Sequence, residues 1–155
     1  MKPVAAAVDE HFPANWSYHR NDEPGVFPPA VGKFPRHVLV VDDEPLIRWS
    51  VTESLSEIGF NVEQAADAAQ ALRAVVSAVP PFDVVVLDLR LPDMDDLSLL
   101  RTLRHVLPTA GLILMTAFST PDIVNEASGL GAAVLDKPFE LAEIRRLVIQ
   151  AGSIR

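Results

Sequence analysis

Short apolar segments alternate with segments of helical period from His37 to the end of the chain. This alternation constrains the fold more than any other feature of the sequence. The run His37 to Asp42 reads as a buried strand ending in acid, and residues 45–58 then place Leu46, Ile47, Val51, Leu55 and Ile58 at helical spacing, with Gly59 as a stop. Residues 60–64 form a short second strand. Asp67 can cap a helix running to Ala78, with Leu72, Val75, Val76 and Val79 inward, until Pro80-Pro81 breaks it. Residues 82–88 are an almost wholly apolar strand, as expected at the centre of a sheet covered on both faces. Asp95 or Asp96 opens a third helix through Leu97, Leu100, Leu103 and Leu107, and residues 111–116 form a fourth strand. Ser119-Thr120-Pro121-Asp122 starts a short helix with proline at its first position. Residues 132–136 form a fifth strand, and residues 140–151 a last helix with Leu141, Ile144, Leu147 and Val148 inward. Five consecutive β–α units predict a doubly wound parallel sheet with helices on both faces. Right-handed crossovers leave few topologies, and the flavodoxin-like order 2-1-3-4-5 with five helices is the expected one.

The first 36 residues read differently. They hold six of the thirteen prolines and half of the ten aromatic residues (Phe12, Trp16, Tyr18, Phe27 and Phe34), and keep no period for more than a few residues. The expectation is a Pro-rich, disordered extension over residues 1–36, or a short peptide lying on the domain or a partner, followed by one domain over 37–155. Charges balance within the extension. The net charge of −8 therefore belongs to the domain, where nine basic residues face seventeen acidic ones. That balance argues against a nucleic-acid surface and favours cation binding or basic partners. The chain contains no cysteine, which excludes disulfides, thiolate metal sites and a cysteine nucleophile. No apolar run is long enough to span a membrane and no secretory signal opens the chain, so the expected address is the cytoplasm.

In an open α/β sheet, ligands sit beyond the carboxyl ends of the strands. Strand one runs out at Asp42-Asp43-Glu44, strand three at Asp88, strand four at Thr116 and strand five just before Lys137. Two carboxylates about 4 Å apart repel by roughly 4 kcal/mol at an effective dielectric of 20, so a cluster of them needs a cation among them. Without histidine or cysteine in the set, a hard, oxygen-loving ion is indicated, and Mg²⁺ suits one or two carboxylates with waters left for phosphate oxygens. A carboxylate beside Mg²⁺, an ammonium and a hydroxyl is equipped to receive a phosphoryl group. Asp88, at the end of the most apolar strand, is the natural nucleophile.

The blocks Val40-Val41-Asp42-Asp43-Glu44-Pro45, Val86-Leu87-Asp88-Leu89-Arg90-Leu91-Pro92, Leu114-Met115-Thr116-Ala117 and Lys137-Pro138-Phe139 resemble the receiver domain of two-component response regulators over about residues 37–152. The wording of the first and third blocks is similar to receivers attached to transcriptional activators. The resemblance implies phosphorylation of Asp88 by a sensor histidine kinase or phosphotransfer protein. It implies Mg²⁺ ligation by Asp43, Asp88 and the backbone carbonyl of Arg90, with Asp42 acting through water, and phosphoryl contacts from Thr116 and Lys137. It also implies a switch in protein contacts on the face made by helix four, strand five and helix five, which can serve as a homodimer surface.

The sequence departs from that family at three places. Val134 stands where an aromatic residue three before the lysine is usual, the stretch from Gly131 to Lys137 is one residue short, and Asp93 and Asp96 occupy loop positions where glycine is frequent. Two rival readings compete with the receiver. A haloacid-dehalogenase-like phosphatase would need Asp-x-Asp on strand one, where this chain has Asp42-Asp43-Glu44, and it would need a cap domain. A degenerate receiver serving only as a binding module conflicts with the complete set of Asp42, Asp43, Asp88, Thr116 and Lys137. The expectation is a stand-alone receiver that turns over no substrate in the usual sense and binds neither nucleic acid nor membrane. Arg48 and Trp49, like Arg101, Arg104 and His105, are expected to make solvated or rim contacts.

Overall fold

The computed structural model describes residues 36–153. The predicted extension lies outside the described residues except for Arg36, which belongs to the packed unit. Arg36 is buried, and its carbonyl accepts the Asn61 N–H at 2.8 Å.

Strands β1 (His37–Val41), β2 (Asn61–Ala65), β3 (Val84–Asp88), β4 (Gly111–Thr116) and β5 (Ala132–Asp136) alternate with helices α1 (Pro45–Glu57), α2 (Ala68–Ser77), α3 (Ser98–Val106), α4 (Pro121–Gly129) and α5 (Leu141–Ser153). All strand pairs are parallel and the order is 2-1-3-4-5, as the alternation and the handedness rule require. Side chains alternate across the sheet. Val38, Val40, Val84, Val86, Ile113 and Met115 meet Val51 and Leu55 of α1 and Ile144 and Val148 of α5. Leu39, Val41, Val85, Leu87, Leu112 and Leu114 meet α2, α3 and α4 through residues such as Ala71, Leu100, Leu103 and Ala127. Every residue of β1 and β3 is buried, which explains their unbroken apolar runs.

Local signals end the helices where expected. Gly59 takes φ 102°, its N–H donates to Ser56 and that of Phe60 donates to Leu55, so α1 closes in a Schellman turn. Asp67 caps α2 by accepting the Gln70 N–H, and Thr120 caps α4 by accepting that of Ile123. At Gly111 a Cβ would lie 2.6 Å from the Cβ of Ala151, so glycine there lets α5 come against the start of β4.

Two expectations about α2 and α3 are corrected. Val76 and Val79 are 85% and 91% exposed, because Ala68 and Ala71 take the buried places on α2 while Leu72 and Val75 pack only in part. Small residues let this helix lie close to the sheet, and Val76 in its last turn and Val79 beyond its end at Ser77 both face away from the core. In α3 the capping position is Leu97, with Asp96 one residue earlier accepting the Ser98 N–H at 2.9 Å.

At the amino-terminal edge of the sheet His37 is fully used. Its N–H donates to Asp83 Oδ2, its ring nitrogens lie 2.9 Å from the Pro80 carbonyl and 2.8 Å from Glu63 Oε2, and it stacks on Phe82. This histidine is structural and stands at the end of the sheet away from the acidic cluster.

Candidate phosphoacceptor site

The strand register assembles the site. Val41 pairs with Leu87, so Asp42 follows β1 beside Asp88 at the end of β3; Asp88 in turn pairs with Met115, one residue before Thr116. The Lys137 N–H donates to the Thr116 carbonyl at 2.8 Å, which carries Lys137 onto the same rim. Carboxylate oxygens of Asp42, Asp43 and Asp88 all lie within 4.8 Å of one another.

The Lys137 ammonium is the cation already there. Its Nζ lies 3.0 Å from Asp42 Oδ2, 3.0 Å from Glu44 Oε1 and 3.4 Å from Asp88 Oδ1. Asp42 is completely buried and also accepts the Glu44 N–H at 2.9 Å. Asp43 is exposed and makes no hydrogen bond or ion pair among the described residues. Thr116 is buried, and its hydroxyl oxygen accepts the Phe118 N–H at 3.0 Å, which leaves its own proton to donate.

Electrostatics mark Asp88 out. Burial, then the charge of Asp42, push its pKa up to about 6, against the pull of Lys137 and the Arg90 N–H. Burial works against the charge of Lys137, but hydrogen bonds to Asp42 and Glu44 and the charges of Asp42 and Asp88 prevail and raise its pKa. One ammonium therefore faces several carboxylates, and a net negative charge remains. The donors are all hard oxygens, so the cluster fits Mg²⁺ by charge and by ligand type.

Several contacts around the site were not foreseen. Arg48, expected on the rim, donates from Nη1 to the Asp42 carbonyl at 2.6 Å and from Nε to Gln64. Asp93 accepts the N–H groups of Ala68 and Ala69 at 2.9 and 3.0 Å, and the first of these in particular holds its carboxyl below the usual range. Glycine could not make that cap, so the departure at 93 ties the loop after Asp88 to the start of α2. Arg90 lies 5.7 Å from the ring centroid of Phe118, a residue 67% exposed beside the site. Away from the site, at the amino-terminal ends of β4 and β5, Arg104 is a clamp, donating to the carbonyls of Leu130, Leu107, Pro108 and Ala110. Arg101 pairs with Glu126 across α3 and α4, as a rim contact should. Asp93 could have been suspected as a helix cap from its residue type; the other contacts, whether six residues apart as for Arg48 and Asp42 or 26 as for Arg104 and Leu130, left no pattern in the sequence.

A five-stranded 2-1-3-4-5 sheet with an acidic pocket over β1 and β3, a threonine after β4 and a lysine after β5 defines a receiver. The chain belongs to the response regulator receiver domain family, whose model matches residues 38–149. Among curated proteins it is 36% identical over 112 residues to sporulation initiation phosphotransferase F of Bacillus subtilis, covering 72% of this chain and 89% of that protein. It is 38% identical over 117 residues to the DNA-binding transcriptional regulator NtrC of Escherichia coli K12, covering 75% of this chain but only 24% of that protein. Among solved structures it resembles a CheY-like receiver domain protein from Methanospirillum hungatei, with TM-score 0.72 and 25% identity over 77% of this chain and 94% of that one. It also resembles a chain of the CheX–CheY–BeF3–Mg complex from Borrelia burgdorferi, with TM-score 0.70 and 28% identity over 75% and 88% of the two chains. The haloacid-dehalogenase alternative is thereby set aside. No helix among the described residues is long and apolar enough to cross a membrane.

Proposed function

We propose that this receiver accepts a phosphoryl group on Asp88 from a sensor histidine kinase or phosphotransfer protein and passes the signal on as a change in protein contacts. The observation that carries the reading is Asp88 itself: a largely buried carboxylate with raised pKa at the end of β3, within 3.4 Å of Lys137 and grouped with Asp42 and Asp43.

A carboxylate oxygen of Asp88 attacks the phosphorus, the P–N bond to the donor imidazole breaks, and the released nitrogen keeps its electron pair or takes a proton from water. Asp43, Asp88 and the carbonyl of Arg90 would hold Mg²⁺, with Asp42 acting through water, and the ion would supply positive charge to the phosphoryl oxygens. Lys137 contributes its ammonium to the same oxygens, and Thr116 donates its hydroxyl proton to one of them. Burial of Asp88 keeps competing water low. The output face is made by α4, β5 and α5, which can engage a downstream effector or a second copy. The reading carries no turnover of a small substrate, no nucleic-acid contact and a cytoplasmic location; residues before Arg36 act as an extension of the receiver. Support comes from the site geometry together with the family.

Intact-mass analysis with Mg²⁺ and acetyl phosphate tests it. Wild type should gain one hydroxylamine-labile phosphate and Asp88→Asn none; a phosphorylated Asp88→Asn protein would overturn the assignment.

A further inference from the structure

The resting site holds one contact that the phosphoryl-transfer chemistry does not use. Lys137 has three protons to donate, and three carboxylates stand around it: Asp42 and Glu44 at 3.0 Å and Asp88 at 3.4 Å. Two of these partners are buried in the site. The third, Glu44, has a side chain 57% exposed and the solvent at hand as a replacement. Glu44 also occupies the capping position of α1, followed by Pro45, yet its carboxylate caps none of the helix N–H groups. It reaches across to Lys137 instead, while its own N–H holds Asp42. Beside it lies a cavity of about 550 Å³ between α1 and the turn after β5, lined by Glu44, Ile47, Ser50, Ala117, Pro138 and Phe139. A glutamate that lets go of Lys137 has room there.

We propose that Glu44 is a latch: it positions the Lys137 ammonium in the resting receiver and competes with the phosphoryl group for it. The inference rests on Asp88 being the acceptor. A phosphoryl group brings about two negative charges to Asp88 and needs a donor from Lys137. Of the three resting contacts, the one to Glu44 is the one that water replaces at least cost, so it is the one surrendered. Breaking it unties the start of α1 from the turn after β5. Glu44 thus sets part of the threshold for switching without touching the reacting atoms, and is a positioning residue.

The test is titration of the full chain with beryllofluoride in Mg²⁺, followed by amide chemical shifts of residues 116–118 and 137. Wild type is compared with Glu44→Gln and Glu44→Asp. Glutamine removes the charge. Aspartate keeps the charge at the mouth but is one methylene too short to reach Lys137, and its carboxylate favours the helix N–H groups. Both variants should bind beryllofluoride about two- to fivefold more tightly than wild type, the range expected for loss of one competing exposed ion pair. A Glu44→Asp protein with wild-type affinity would show that only charge at the mouth matters, and unchanged or weaker binding by Glu44→Gln would show that no latch exists. Failure of wild type to respond at all would instead remove the acceptor reading on which the latch stands.

Discussion

Lys137 Nζ stands 3.4 Å from Asp88 Oδ1, close enough to balance the carboxylate's charge in part and too far for a strong hydrogen bond. Asp88 is therefore held between two influences: burial and Asp42 favour its protonated form, Lys137 its ionised form, and the first pair prevails.

The pH dependence of the metal-free domain follows from that balance. The folded pKa of Asp88, about 6, lies above the ordinary value of 3.8. Its contribution to stability is therefore fully present below pH 4 and lost as pH rises through about 6. Urea unfolding in chelator should show wild type weakening over this range relative to Asp88→Asn. Above pH 6.5 the variant should be the more stable by about 1–2 kcal/mol, since a tenfold change in acidity corresponds to about 1.4 kcal/mol and solvent screens part of the effect. A constant difference from pH 4.5 to 7.5 would contradict the assignment.

Asp43→Ala removes a carboxylate from a crowded cluster while sacrificing no hydrogen bond. The metal-free protein should unfold at the same or higher urea concentration than wild type, and calorimetry should show Mg²⁺ affinity reduced by at least about tenfold. Equal Mg²⁺ affinity would remove Asp43 from the ligand set.

Asp93→Ala leaves the Ala68 and Ala69 N–H groups without their side-chain acceptor. Hydrogen exchange should accelerate at residues 68–71 while β3 stays protected, and Asp93→Asn should restore part of the protection. If α2 exchanges as in wild type, the cap is dispensable.

Phe118 and Arg90 lie together beside Asp88. Phe118→Ala should shorten the lifetime of the phosphorylated form roughly two- to fivefold, which is what an exposed cation–π contact of about 0.5–1 kcal/mol converts to. Mass spectrometry of samples quenched after removal of the phosphodonor reads this, and an unchanged decay would mean that the pair covers nothing.

Helix α4 is nine residues long and buries Ala127 alone. Val134 in β5 is half-buried, pairs with Leu114 and, with its stiff branched side chain, offers no aromatic swing. With beryllofluoride, protection should change more at residues 117–131 than at 132–136. The opposite pattern would place the switch in β5.

The strands and the rim of the site were legible because each has a local cause. An apolar run between breakers is a strand, and Asp42, Asp88, Thr116 and Lys137 fall where strands end. Helix boundaries followed from Gly59, Asp67 and Thr120 for the same reason. What the sequence hid depends on approach angles and on long-range partners. Val76 and Val79 continue the apolar spacing of α2, yet only the close seating of Ala68 and Ala71 decides that they face water. Arg48 and Arg104 look like solvated cations, and the carbonyls they hold are visible only in the folded chain.

Arg36 and Gly152 come together at the floor of the sheet: a Cβ on Gly152 would lie 3.9 Å from Arg36 Cδ. Both ends of the folded unit thus leave from the side that carries the His37, Asp83 and Pro80 contacts and lies opposite the reactive rim. Chain joined directly to Arg36 or Gly152 starts its path a full strand length from Asp88. The two boundary residues thus open on the end of the sheet opposite the rim, and the depth of the five strands separates them from Asp88.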